Sequence, residues 1–472
     1  MQIPAWWPSE KPYIMGDSKV ETKQLPENSF DAIITDPPYE LGFMGKKWDS
    51  TGIAYDKEFW EGQLRVLKPG GHLLAFGGTR TYHRMTCAIE DAGFEIRDMI
   101  EWIYGSGFPK SLNIEKAINK MDGVKFKEKP ANGVGFMNEN DDGYRTTKNQ
   151  LEQIGDSTER ANEWEGWGTA LKPAHEPICV ARKPFQGTVA ENVLKWGNGG
   201  LNIDGCRIPL NGEPNPAGSA KRVFKSNKFT DSKIYGDNTT TSDKGRFPAN
   251  LILECICEET KEGQEIGNGH FNSKVKMVDH TLYEGGFKDF EQQDGVLKEK
   301  SLIHTNPDCP CYLLDAQSGQ LSSGSISTVN STKQNNVYGK FNKANVNDFH
   351  ANKGGASRFF YCAKASKSER DEGVAGVAGV GALRDGGRPS EPRRNTHPTV
   401  KPVATMGYLI KLVTKPGYIV LDPFLGSGST MFACRMTERQ CLGYEIGEEY
   451  EKILHGHSMS NRPALETYRG KD

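Results

Sequence analysis

Hydrophobic positions fall into two regimes along the chain. From the N-terminus to about residue 115, short apolar runs alternate with amphipathic stretches. The same alternation returns at about residue 397, and apolar residues between these blocks are thin and scattered. Phe30–Thr35 (FDAIIT) is an apolar run of buried-strand type, stopped by Asp36-Pro37-Pro38-Tyr39 because proline supplies no ladder donor. Trp60, Leu64 and Leu67 recur at helical spacing and predict a helix over 56–67. Residues 68–71 (KPGG) read as a turn and 72–76 as the next strand. Met85, Ala88 and Ile89 mark a helix closed at Gly93, and 94–104 a long strand. In the second block, Val403, Met406, Ile410 and Val413 predict a helix after Pro402. A strand over 418–421, a glycine turn, a helix over 430–436, a strand over 442–445 and a helix over 448–454 follow. This alternation is the sign of an α/β sheet.

The middle of the chain lacks the pattern. Residues 119–165 are rich in Asn, Asp, Glu, Gly and Lys, 321–356 in Ser, Asn and Gly, and 371–395 in Gly and Arg. They read as exposed insertions and loops. Residues 166–250 hold a few apolar pieces, such as Ile178-Cys179-Val180, among Gly, Pro, Asn and Lys.

Composition sharpens this picture. Only 36% of the 472 residues are hydrophobic and mean hydropathy is −0.63, which fits a packed core with long wet insertions. No apolar run reaches the length of a membrane span, and the N-terminus lacks the layout of an export signal, so the cytoplasm is the expected compartment with no membrane partner. Ten cysteines are too sparse for a disulfide scaffold. With 59 basic and 61 acidic residues the net charge is −2, yet 171–250 carries twelve Lys and Arg against seven Asp and Glu. Lys221, Arg222, Lys225 and Lys228 in that segment, and Lys46 and Lys47 just after the Asp-Pro-Pro-Tyr turn, are candidate phosphate contacts for DNA. Any one of them is equally at home on an ordinary solvated loop.

Two turns carry candidate chemistry. Asp422-Pro423-Phe424-Leu425-Gly426-Ser427-Gly428 lies between strand and helix, where glycines admit a ligand close to the backbone. Neither a dinucleotide fingerprint nor a phosphate-loop lysine is present. Glu445 ends the next strand, where a carboxylate can accept both hydroxyls of a ribose. A ribose without phosphates suggests S-adenosyl-L-methionine, although such a turn can also be a plain connection. Asp36-Pro37-Pro38-Tyr39 offers a carboxylate, a carbonyl, a stiff turn and an aromatic plate, a set suited to the exocyclic amine of a flipped base.

Together these residues resemble the DNA amino-methyltransferases that act on adenine N6 or cytosine N4, in the permuted order called the β group. Asp36-Pro37-Pro38-Tyr39 matches their catalytic motif, 422–428 their cofactor motif, and His397-Pro398-Thr399-Val400-Lys401-Pro402 the segment before it. The strings over 36–49 and 171–184 are similar to methylases common in phages and prophages. The resemblance implies an α/β fold with a Rossmann-like methyltransferase sheet of seven strands, one antiparallel, built from both ends of the chain around a large irregular central insertion. It implies a catalytic half over 1–118, an insertion and target-recognition region over 119–250, a Cys-paired region and flexible loop over 251–356, a cofactor-binding half over 357–456, and a tail over 457–472. Asp36, Pro37, Pro38 and Tyr39 would be catalytic. Asp17, Thr399, Lys401, Asp422, Phe424, Gly426, Gly428 and Glu445 would hold the cofactor, with Lys401 and Thr399 toward its methionine carboxylate. The expected activity is site-specific methylation of adenine N6 in DNA. Cytosine N4 methylation, or an inactive DNA- or cofactor-binding protein on the same scaffold, are the alternatives. A homodimer is left open, and the sequence shows no restriction partner.

Finally, Cys255, Cys257, Cys309 and Cys311 form two Cys-x-Cys pairs flanking a polar, Gly-rich span. Four soft thiolates in two close pairs suit one structural zinc ion, with His304 and His280 as nearby alternatives.

Overall fold

The computed structural model describes residues 7, 11–42, 47–105, 111–129, 150–153, 155–208, 245–257, 260–265, 300–319, 321–322, 353–364, 395, 397 and 400–459. Nine strands form one sheet. In chain order they are β1 (Tyr13–Met15), β2 (Phe30–Thr35), β3 (Leu67–Phe76), β4 (Glu95–Ile103), β5 (His175–Arg182), β6 (Leu251–Cys255), β7 (Tyr361–Lys364), β8 (Ile419–Asp422) and β9 (Gln440–Glu445). Across the sheet they lie β1-β9-β8-β2-β3-β5-β4-β6-β7. Both ends of the chain therefore build a single sheet. Within this sheet, β5 is the one strand among the described residues that runs antiparallel to its neighbours.

The expected strand count of seven is corrected to nine. β6 and β7 come from the stretch that looked irregular and pair in parallel beside β4. They are short, and their apolar residues sit between polar segments, so no periodicity betrays them. The turn expected over 68–71 is also corrected. β3 runs through it, and the register against β2 slips between Phe30↔Leu67 and Ala32↔His72. The slipped residues remain paired on the other side, because Gly70 N donates to Lys183 O and Lys183 N to Gly71 O.

Adjacent residues of a strand face opposite sides, which divides the core into two layers. Ile34, Leu74 and Phe76 pack under the helices α5 (Val403–Val413) and α6 (Ser429–Met436). Ile33, Leu73 and Ala75 pack under α1 (Lys57–Val66) and α2 (Tyr82–Asp91), against Phe59, Trp60 and Ile89. Burial on both faces explains why the central strands are continuously apolar. Asp56 starts α1 by accepting from Glu58 N and Phe59 N, and α3 (Val189–Trp196) opens on a Thr188/Glu191 capping box and stops at Gly197 in the left-handed region. Among the described residues no helix is long and apolar enough to cross a membrane.

Candidate active site

Open α/β sheets bind ligands at the carboxyl ends of their strands. Here those ends set Asp17, Glu445, Asp422 and Asp36 in a row, because β1, β9, β8 and β2 are consecutive neighbours. Met15 pairs with Glu445, and Gly16 N donates to Glu445 O at 2.8 Å. Asp17 follows on an exposed corner and caps the helix Ser18–Glu21 through Lys19 N at 2.8 Å.

The glycine turn is held from both sides. Glu445 Oε2 accepts from Gly426 N at 2.8 Å and Oε1 from Gly447 N at 2.7 Å. Burial raises the Glu445 carboxyl to about 7, against the opposing pull of those two N–H groups. Asp422 is buried, and its oxygens accept from Thr35 Oγ1 at 2.7 Å, Thr430 Oγ1 at 2.5 Å and Phe424 N at 3.1 Å. It thus fastens the glycine turn to the strand that carries Asp36. Burial pushes it up to about 6, although Thr430 and Thr35 stabilise the charge. Gly426 has φ +55, and a Cβ there would stand 3.0 Å from the His397 ring. Gly428, at φ +86, is the cap of α6 and is buried. Phe424, Gly426 and Glu445 stay partly open to solvent, whereas Asp422 and Gly428 face inward.

At the end of β2 the Asp36-Pro37-Pro38-Tyr39 turn meets a buried cation. Lys401 Nζ lies 2.5 Å from Asp36 Oδ2 and 3.4 Å from Glu176 Oε2. Tyr39 Oη stands 2.9 Å from Asp36 Oδ1 and 2.8 Å from Glu176 Oε2, so one phenol proton lies between two carboxylates. The ammonium also sits over the rings of Phe76 and Tyr39, 5.1 and 5.5 Å from their centroids. Burial opposes the charge on Lys401, but Asp36 and Glu176 outweigh it and its pKa is raised. Burial, then Asp36, raises the Glu176 carboxyl, and Lys401 opposes the rise. Burial and the two carboxylates hold the Tyr39 phenol well above its ordinary value. Pro37 is buried and Pro38 half-buried beside them.

Lys401, expected toward a methionine carboxylate, pairs with Asp36 in this structure. Glu176 was not singled out in the sequence, although it lies in the 171–184 string. Its strand is antiparallel, so its amino end reaches the edge where the parallel strands finish. Phe76 pairs with Ile178, and Gly77 N donates to Pro177 O.

Other candidates fall elsewhere. Thr399, Lys46, Lys221, Arg222, Lys225 and Lys228 lie outside the described residues, as does His280, and Lys47 opens the short helix Lys47–Ser50. Cys255, Cys257 and Cys309 come together, joined by His304. Cys311 instead falls in a second group with His304 and Cys362.

Residues 30–267 and 319–455 match the family model described as DNA methylase. The type II methyltransferase M.HindIII of Haemophilus influenzae is 24% identical over 328 residues, 59% of this chain and 90% of that protein. The type II methyltransferase M.HpaI of Haemophilus parainfluenzae is 44% identical over 98 residues, 19% of this chain and 30% of that protein. A solved PvuII DNA methyltransferase, titled as cytosine-N4-specific, aligns over 97% of this chain and 89% of its own at 12% identity, with a TM-score of 0.38. With the family model covering eight of the nine strands of the sheet, together with Asp36, Asp422 and Glu445, the chain belongs to the DNA methylase family of N6/N4 amino-methyltransferases.

Proposed function

We propose that the chain methylates adenine N6 in DNA, on a base turned out of the duplex, using S-adenosyl-L-methionine. The observation that carries this reading is the buried bond from Thr35 to Asp422, which ties the catalytic turn to the glycine turn in one rigid edge. The donor set also fits the cofactor. A carboxylate at the end of β9, a glycine turn without phosphate-binding cations and an exposed carboxylate at Asp17 suit an adenosine that carries no phosphates. Glu445 would hold the ribose, Asp17 the adenine amine, and Phe424 and Gly426 would pack against the nucleoside. When bound, S-adenosyl-L-methionine supplies an electrophilic methyl group.

The chain's own residues do the rest. An exocyclic amine is a poor nucleophile because its lone pair spreads into the ring. Asp36 and the Pro37 carbonyl would accept its two N–H bonds and localise that lone pair. A carboxylate accepts more than two hydrogen bonds, so Asp36 can keep Lys401 and Tyr39 while taking the amine. Lys401 orients Asp36, which would take the proton the amine sheds on methylation, and Tyr39 would offer its ring face to the base.

Adenine is preferred because Asp-Pro-Pro-Tyr in this permuted order goes mostly with adenine in the family it resembles. Cytosine N4 is the competing reading, since both reactions use the same groups. Nucleoside mass spectrometry of DNA treated with the protein separates them. N6-methyladenine is expected, and N4-methylcytosine alone would overturn the assignment.

A further inference from the structure

Away from the catalytic row, four soft donors converge beyond the end of β6. Cys255 closes that strand, Cys257 lies two residues on, His304 ends the strand Lys300–His304, and Cys309 caps the helix α4 (Pro310–Ser318). All four are buried, and their ligand atoms lie within 4.8 Å of one another. From His304 Nδ1 the distances are 3.4 Å to Cys255 Sγ, 3.7 Å to Cys257 Sγ and 4.0 Å to Cys309 Sγ. One imidazole nitrogen has a single lone pair or a single N–H, so hydrogen bonding cannot account for three sulfurs around it. A tetrahedral ion with Zn–S of about 2.3 Å and Zn–N of about 2.0–2.1 Å has N···S edges of about 3.6 Å. The observed spacings bracket that edge.

We propose that Cys255, Cys257, His304 and Cys309 bind one structural zinc ion. The proposal is independent of which base is methylated. Cys311 falls instead in a neighbouring group with His304 and Cys362, which leaves His304 as the fourth ligand beside Cys255, Cys257 and Cys309.

The site has a structural purpose. Leu253 is the one large apolar side chain among the five buried residues of this cluster, the rest being cysteines. Ile103, Leu251, Ile256, Leu314 and Phe360 pack around it only partly buried, so a metal would add to a small apolar core. Four protein ligands leave no open position, so the ion braces rather than catalyses. What it braces borders the active edge. A Cβ on Gly105 would stand 2.4 Å from Asp308 O, so the turn carrying Cys309 lies directly against the residue after Tyr104. Tyr104 in turn lies beside Glu176, the carboxylate that shares Lys401 with Asp36.

Elemental analysis of the full chain, purified from zinc-supplemented cells, should give about one zinc per protein. Cys257→Ser and His304→Ala should each lose it, and Cys311→Ser should keep it. Because the first two variants could fail to fold, cobalt-substituted wild type provides a second reading, with thiolate charge-transfer and tetrahedral ligand-field bands expected. Metal-free, folded wild type with freely alkylated thiols would overturn the proposal. Iron in place of zinc, or zinc kept by His304→Ala and lost by Cys311→Ser, would overturn it as well.

Discussion

Lys401 Nζ stands 2.5 Å from Asp36 Oδ2, and the two residues lie 365 positions apart in the chain. The contact closes the two halves of the sheet on each other beside the Asp36-Pro37-Pro38-Tyr39 turn. Glu176 makes it a three-way arrangement, with one ammonium serving two carboxylates. The side chains of Lys401, Asp36 and Glu176 are only 8, 16 and 17% exposed, so solvent does little to replace a missing partner.

Lys401→Met should therefore cost stability as well as rate. Removing one partner of a buried pair costs about 3–5 kcal/mol, because the other charge is stranded. Two stranded carboxylates also repel each other. The double variant Lys401→Met/Glu176→Gln should regain part of the stability, since one surplus charge is gone. Urea denaturation of the single and double variants tests this, and equal stabilities would contradict a shared cation. Methyl transfer in Lys401→Met should fall by at least about tenfold, as Asp36 loses the group that orients it.

Glu445 makes stability depend on pH with a definite sign. Its folded value is about 7 against an ordinary 4.5, so between these values the folded chain holds a proton that the unfolded chain has released. Its contribution is full below the unfolded value and is lost as pH rises through about 7. Going from about pH 5 to about pH 8, wild type should lose more stability than Glu445→Gln. Denaturant midpoints at the two pH values give the comparison, and parallel curves would contradict it.

Gly426→Ala tests the glycine turn. The residue's φ of +55 is in the left-handed region, which costs a side chain about 1–2 kcal/mol. The new Cβ would also press on the His397 ring. Affinity for S-adenosyl-L-methionine, measured by titration calorimetry, should fall by about tenfold, which is about 1.4 kcal/mol. Turnover at saturating cofactor should be largely kept. An unchanged affinity would remove this turn from the cofactor site.

The sequence made the scaffold of this site readable and hid its wiring. Phe30–Thr35, Ile419–Asp422 and the helices after them were legible because burial on both faces writes a continuous apolar run and helical spacing writes the rest. Tyr13–Met15 is three residues long and Tyr361–Lys364 four, too short for any period to register. Residues 68–71 looked like a turn because Pro69, Gly70 and Gly71 are turn residues, yet they form an irregular stretch inside a strand. The Asp36-Pro37-Pro38-Tyr39 turn and Glu445 could be picked out as candidates from residue type, and both lie at the carboxyl edge. Glu176 could not, because only strand direction brings it to the carboxyl edge. The pairing of Lys401 with Asp36 is likewise a product of tertiary structure.

Asp36→Ala is the most direct test of the account, assayed by transfer of labelled methyl from S-adenosyl-L-methionine to DNA alongside cofactor affinity. Asp36 would act on the base amine and not on the nucleoside held by Glu445, so transfer should vanish while cofactor affinity stays near wild type. Wild-type turnover in Asp36→Ala would contradict the assignment of the catalytic edge.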